Sequence, residues 1–492
     1  MSLIDRYNEL EQRQKIIVWV VSFFLTIAII FGLMALFAKP PEVAIQVDSS
    51  PVTLRWRKLF YNQNDLNEVL SGFKLKYPNI NIEVETVGAQ DYNTYYSRLI
   101  KDFSLNNAPE IFSVSNSDLP AMTQYMSPIE YFKGDKLAAY TQTFTNQSVR
   151  ETMQLNKVYG ITMYQDNIQM YYNTDILSQA GIALPAKTWD EMVTHAKLIN
   201  KKNTVGEFLQ SAISLGTANN VTRVKEIIPI LIMQQGGVIY DWQSQNVGLG
   251  QPRSVNFTSS DLARQKAGTF SLDETNKDNP TVDAIKFYSE FANPLSSFYS
   301  WNRQGNNSED AFIAGKTAYI LHYSYFNDTI KTRNPNLNYD IAALPQSNDS
   351  NKKTFGSFYL DGMGRQLTQS ATGPKDPTIT KKRAAAEAFL VYLSSKDAQK
   401  AFDAKNQTPP ARKDIIKDLQ TQSDNPFIRI FADGSLYADN YYRPRADTDQ
   451  IWVKMIEDMQ TKSIPLGQAI TDAVNEYQRE IGLGPEVGTI AT

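Results

Sequence analysis

The chain has 492 residues, of which 42% are hydrophobic and 21% charged, a globular composition that excludes wholesale disorder and a fibrous repeat. Lys+Arg of 49 against Asp+Glu of 52 leaves a net charge of -3, so the basic excess that marks nucleic-acid binders is missing. With no cysteine and 2 histidines, disulfides, thiolate metal sites, cysteine nucleophiles and a lipid-bearing cysteine are excluded, and a histidine-rich metal site has little to be built from.

The first element is apolar. Ile16 to Phe37 runs without a charge, and at ~1.5 Å per residue it reaches roughly 33 Å, enough to cross a bilayer. A cleaved signal peptide has a shorter apolar run and small residues before the cut. Here bulky Leu36 stands at the nearest such position and Pro40 follows, so residues 16–37 are expected to be an uncleaved signal-anchor, a single transmembrane helix. Arg6, Arg13 and Lys15 precede the span and Lys39 alone follows closely. That bias predicts a cytoplasmic N-terminus (1–15) and a body on the external face of the cell membrane. Residues 38–51, with Pro40, Pro41 and Pro51, read as a tether that extends up to roughly 45–50 Å.

From Val52 onward strands and helices alternate. Val52–Trp56 reads as a short strand. Leu66, Val69, Leu70 and Phe73 follow at helical spacing, and Ile80, Ile82 and Val84 alternate as a half-buried strand. Tyr92, Tyr95, Tyr96, Leu99, Ile100 and Phe103 give another helix face, and Pro109–Val114 another strand. This order predicts an α/β layered domain with a parallel sheet. Later, Thr188 and Glu191 form a capping box before a helix carrying Trp189, Met192, Val193 and Ala196. Helix faces recur at Ala385–Leu393 and Ile470–Tyr477.

The order of segments resembles the family of bacterial extracellular solute-binding proteins that includes the maltose-binding proteins. The blocks that carry the likeness are Phe73–Val84, Asn107–Ile111, Lys157–Tyr164 leading to Met170–Leu177, then Ala180-Gly181-Ile182, Pro185 and Thr188–Glu191. Phe312–Ala318 and Tyr339–Pro345 follow, and Thr162-Met163 departs from the family's usual proline. The resemblance implies a two-lobed periplasmic-binding-protein fold, type II-like, with hinge crossovers between the lobes. One lobe is expected to hold 52–160 and 358–415 and the other 165–350 and 420–485, with hinges near Ile161–Asn167, Phe358–Met363 and Asp414–Ser423.

It also implies a monomeric receptor that captures a small polar solute, a sugar or oligosaccharide, by hinge closure and hands it to the permease subunits of an ABC importer, with no cofactor. The expected cleft residues lie at strand ends and crossovers: Trp56 and Arg57, read as the end of the first strand; Asn116 and Asp118; Tyr164, Asp166 and Gln169; Tyr323 and Tyr325; and Tyr441, Tyr442 and Arg443. Aromatic faces suit the C–H patches of a pyranose, and Asp, Asn, Gln and Arg suit its hydroxyls. Each has a plainer reading: Trp56, Tyr323 and Tyr325 as packing, Asn116 and Asp118 as helix caps, Arg443 as a surface ion pair. Tyr171 and Tyr172 are expected in the core. A ligand sensor or surface adhesin on the same fold is the alternative.

Enzyme readings are poorer. Gly315-Lys316-Thr317 has Asp310 where a phosphate-binding loop needs its first glycine, and Gly248-x-Gly250 lacks the third glycine of a dinucleotide fingerprint. His195 is expected to face solvent and His322 to make a structural hydrogen bond, so no catalytic residue and no metal ligand is assigned. A glycoside hydrolase carboxylate pair is the remote alternative.

Overall fold

A computed structural model describes residues 45, 47–237, 239, 280–368, 376–441, 443 and 448–480. The expected transmembrane span 16–37, its cytoplasmic flank, nearly all of the tether before Val47, and Tyr442 lie outside the described residues. Among those described, no helix is long and apolar enough to cross a membrane. The chain divides between Gln46 and Val47.

In chain order the strands are β1 (Val52–Leu59), β2 (Ile80–Val87), β3 (Ile111–Ser115), β4 (Met126–Ser127), β5 (Met153–Gln154), β6 (Lys157–Val158), β7 (Ile161–Thr162) and β8 (Asp166–Asn167). They continue with β9 (Gln169–Asn173), β10 (Lys201–Lys202), β11 (Phe208–Ile213), β12 (Thr317–His322), β13 (Tyr339–Ala342), β14 (Thr354–Ser357), β15 (Tyr359–Gly364) and β16 (Ala438–Asp439). The first sheet has the order β2-β1-β3-β15-β4, with β7 also on β15. β1 runs parallel to β2 and β3, and β15 returns antiparallel. The second sheet has the order β10-β11-β12-β9-β13, with β11 parallel to β12 and β9 antiparallel to it.

Local chemistry explains the elements. Asn62 caps the helix Gln63–Lys76 in a capping box with Asp65, and Leu66, Val69 and Phe73 turn inward. Thr188 caps the helix Trp189–Ile199 by accepting from Glu191 N, while the Glu191 side chain bonds Lys187 N, so the expected reciprocal box is displaced by one residue. The first sheet packs Leu59, Phe112, Val114 and Leu360 against Tyr95, Leu99 and Phe103 of the helix Tyr92–Ser104. The second sheet and its helices enclose a larger core that includes Met170, Ile213, Tyr319, Leu321 and Trp452. Tyr171 is core; Tyr172 is half-buried.

β1 is longer than expected. It runs to Leu59, through Arg57 and Lys58, because Lys58 is buried on Asp361 of β15 at 2.6 Å. Trp56 is therefore not at a strand end: it is 0% exposed, packs edge-on against Phe389 at 5.1 Å and donates from Nε1 to Asp361 at 3.0 Å.

A third, small sheet joins the other two, in the order β16-β14-β8. The chain passes from β7 of the first sheet to β8 and on to β9 of the second, and returns from β14 to β15 through Phe358. The expected hinge Asp414–Ser423 falls on a helix, Lys413–Gln422, held to the preceding helix by Lys396 and Lys400 on Asp418. The next helix, Pro426–Tyr437, is anchored instead to the crossover: Asn167 Nδ2 donates to Phe431 O at 2.8 Å. Buried amides lace this joint. Gln165 Nε2 donates to Gln147 Oε1 (3.0 Å) and Ser435 O (3.2 Å), Gln165 Oε1 accepts from Ser148 (2.7 Å), and Gln147 Nε2 donates to Gly356 O (2.9 Å). A Cβ at Gly356 would collide with that Gln147 side chain, which is why glycine stands there.

Candidate binding cleft

Parallel strands end together, so β1, β2 and β3 bring Phe60-Tyr61, Gly88 and Asn116–Asp118 to one edge of the first sheet, where β15 begins at Tyr359. In open α/β sheets that edge is where ligands bind. The matching edge of the second sheet carries the end of β12, His322 to Tyr325. The end of β3 also meets the segment after β16 of the small third sheet: Asn116, Ser117 and Pro120 line a small cavity together with Asn440, Tyr441 and Arg443.

The wall on the first sheet is aromatic. Phe60 packs on Tyr92 (5.7 Å) and edge-on to Tyr359 (5.1 Å), and Tyr96 adjoins Tyr92 at 6.3 Å. The Tyr96 hydroxyl accepts from Ser115 N at 2.9 Å. The wall on the second sheet is a stacked pair, Tyr323 and Tyr325, 6.0 Å apart and 17° from parallel. The Arg223 guanidinium lies 5.3 Å from the Tyr323 ring and 5.7 Å from the Tyr325 ring, and bonds the Tyr325 hydroxyl. Tyr323 is buried under this arrangement, whereas Tyr325 is 53% exposed.

The nearby arginine is held in a pair. Arg443 donates to Asp449 at 2.8 Å, and its guanidinium sits over Phe355 at 5.1 Å. Burial alone would lower the Arg443 pKa, but Asp449 outweighs it and holds the group charged. Burial raises Asp118, while the Tyr96 hydroxyl and the charge of Arg443 pull it back. The Arg443 charge also lowers the pKa of Tyr92, Tyr359 and Tyr323, against the burial that raises them.

The remaining expected site residues are held mainly in internal contacts. Arg57 pairs with Glu85 (2.9 Å) and Asp102 (2.6 Å) on the body of the first sheet, away from its ligand edge. Asn116 is buried, donating to Glu151 at 2.5 Å and accepting from Phe358 N at 3.3 Å. Asp118 precedes a short helix but makes no capping bond. Tyr164 is buried against Phe402, its ring 5.9 Å away and stacked. Asp166 accepts from Ser324 N (3.1 Å) and Oγ (2.9 Å), and burial lifts its pKa to about 6. Gln169 is fully buried, bonding Asn167 and Leu344 N. Tyr441 is buried, donating to Asp449 at 2.7 Å and accepting from Trp452 Nε1. Thus Trp56, Arg57, Asn116, Tyr164, Asp166, Gln169 and Tyr441 are engaged in packing or internal pairing, while Asp118, Tyr323, Tyr325 and Arg443 lie at the candidate cleft. Phe60, Tyr92, Tyr96, Tyr359 and Arg223 were not anticipated.

His195 does not face solvent freely. Its Nδ1 lies 2.7 Å from the Tyr319 hydroxyl and its ring stacks on Tyr319. His322 is fully buried; Arg223 Nε donates to its Nε2 at 3.1 Å, and Glu309 Oε1 lies 3.0 Å from the same nitrogen. Burial, with help from Arg223, lowers its pKa to about 4 despite Glu309. The folded value lies below the ordinary unfolded value of about 6.5, so this group favours the fold above pH ~6.5 and its contribution is lost as pH falls toward 4. Asp166, raised, acts in the opposite sense, losing its contribution as pH rises through about 6. Between pH 7.5 and 4.5 His322 should therefore cost about 2–3 kcal/mol. Urea unfolding of His322→Gln at both pH values isolates it: the pH-dependent loss should shrink by that amount, and an unchanged loss would show that His322 does not titrate in this range.

The profile of the bacterial extracellular solute-binding proteins matches residues 56–400. The chain belongs to the bacterial extracellular solute-binding protein family. Members of this family and the structures similar to this chain are binding proteins, and its external binding body and two-lobed α/β fold follow from them. A Brucella abortus protein named as a binding protein is 23% identical over 297 residues, 59% of this chain and 61% of that relative's length. The cyclic alpha-maltosyl-1,6-maltose binding protein of Arthrobacter globiformis superposes with a TM-score of 0.66 at 13% identity, covering 88% of this chain and 100% of that one. The sugar-binding protein MalE of Xanthomonas citri gives 0.64 at 17%, covering 88% and 97%. A cyclo/maltodextrin-binding protein complexed with maltotetraose gives 0.65 at 14%, covering 89% and 99%.

Proposed function

We propose that this solute-binding protein captures a sugar or oligosaccharide between its two aromatic walls and delivers it, as a monomer, to the permease subunits of an ABC importer. The observation that carries the reading is the two aromatic surfaces at the strand-end edges of the two sheets, Phe60–Tyr92–Tyr359 and Tyr323–Tyr325, with Asp118 following β3 and Arg443 paired to Asp449. Rings on both sides suit the two apolar faces of a pyranose, and the carboxyl and guanidinium suit its hydroxyl rim. A neutral guest fits a site whose arginine, Arg443, is already paired with Asp449.

In this reading one lobe comprises 52–160 with 358–415, the other 165–350 with 420–485, and the lobes close around the guest because the closed form makes contacts that the open form lacks. The span 16–37 tethers the body to the external face of the membrane. Supporting the choice of guest are the similar structures named as binders of maltose-type oligosaccharides.

A library of mono- and oligosaccharides, with amino acids and polyamines as controls, tests it by thermal shift. At a hundredfold excess over Kd a ligand adds about 2.7 kcal/mol, on the order of 3 °C in Tm for a body of this size. A shift confined to amino acids or polyamines, or none with any sugar, would end the carbohydrate reading.

A further inference from the structure

Phe60 carries an anomaly that the fold does not need. Its φ is +67°, the left-handed region that bulky L residues avoid and that glycine or asparagine adopt freely. The position is pinned, since Phe60 N donates to Val87 O at 2.9 Å where β1 and β2 end. Strain of this kind persists where the side chain has a task that a permissive residue could not perform.

Core packing does not supply that task. Phe60 remains 38% exposed and stands outside the buried cluster that Leu59 enters just before it. The left-handed turn sends successive side chains to different places: Tyr61 goes to Phe402 and Tyr164 beside the crossover, while Phe60 goes to Tyr92 and Tyr359 on the wall of the cleft. The exposed part of the ring is the apolar surface left over once these two tyrosines have covered the rest.

We infer that Phe60 is the specificity-determining ring of the first wall, held in a strained backbone so that its face meets the apolar side of a sugar ring in the cleft. This rests on the carbohydrate reading above. The strain is offset when a guest covers the ring, which ties recognition to a conformation that glycine or asparagine would adopt at no cost but without a surface to offer.

The test compares the wild-type full chain in detergent with Phe60→Gly, Phe60→Asn and Phe60→Trp, titrated with maltotetraose and with the best sugar of the library. Gly and Asn variants should keep Tm within about 2 °C, because relief of the backbone offsets the lost ring contacts, and should bind at least about tenfold more weakly. Trp should retain binding and change the ranking of sugars. Affinity within twofold of wild type in both Gly and Asn variants overturns the inference. So does a fall in Tm beyond about 5 °C in both, since the ring would then serve the fold. If the wild type binds no sugar, the carbohydrate reading fails and this inference with it; if the wild type binds and the variants bind equally, only the placement of Phe60 fails.

Discussion

Asp361→Ala is expected to cost about 4 kcal/mol of unfolding free energy, a plain shift of the urea midpoint. Asp361 is fully buried on β15 and accepts three hydrogen bonds: from Lys58 Nζ at 2.6 Å, Ser113 Oγ at 2.6 Å and Trp56 Nε1 at 3.0 Å. Those donors sit on β1 and β3, so one carboxylate links three neighbouring strands of the first sheet. Without it an ammonium only 1% exposed is left uncompensated, together with two orphaned donors. The pair itself contributes little net stability compared with an apolar filling of the same volume. Lys58→Met combined with Asp361→Leu should therefore recover the part of the loss due to the buried ammonium, while Trp56 Nε1 and Ser113 Oγ still lack their acceptor. A single variant within 1 kcal/mol of wild type, or a double variant no better than the single, would refute this account.

Tyr325→Ala should weaken sugar binding by about 10–30-fold, or roughly 1.4–2 kcal/mol, with Tm changed by no more than about 1 °C. The ring is half in solvent and its ring contacts are Tyr323, the Arg223 guanidinium and an edge of His322, so the fold loses little when it goes. Tyr325→Phe keeps the stacking face and removes the hydroxyl that Arg223 holds; it should fall between the two. Calorimetric titration with the best library sugar decides, and equal affinity for all three proteins would remove Tyr325 from the cleft. Tyr164 is no equivalent, because it is buried between Tyr61 and Phe402.

The alternation of strands and helices was legible because period-2 and period-3.6 patterns survive in β2 and in the helices Gln63–Lys76 and Tyr92–Ser104. The end of β1 was not. Arg57-Lys58 reads as a break in an apolar strand, yet Lys58 is buried by an acid some 300 positions away, a pairing no local pattern records. The residues at the end of β1 are therefore Phe60-Tyr61 and not Trp56-Arg57. Tyr323 and Tyr325 were legible as strand-end residues because they follow β12 directly, and Asp118 because it follows β3. Tyr92 and Tyr96 were read as the inner face of a helix, although the first turns of that helix lie at the ligand edge. Tyr359 begins a strand inside an expected hinge, and that position was the available signal. Arg223 has no motif around it. Its importance comes only from folding beside Tyr325.

The laced joint of β16-β14-β8 has an outcome for anyone wishing to watch this molecule at work. Chain passes bonded side by side, and pinned by Gln165, Gln147 and Asn167, leave a pivot with a defined axis in place of a slack cord. In the proposed closure, opening and shutting would reduce to one angle, so a donor–acceptor dye pair with one label on each jaw would convert occupancy into a single optical signal. The axle and the grip also use different residues. Swapping rings on the gripping faces should reprogram which guest is taken while leaving the swing itself untouched.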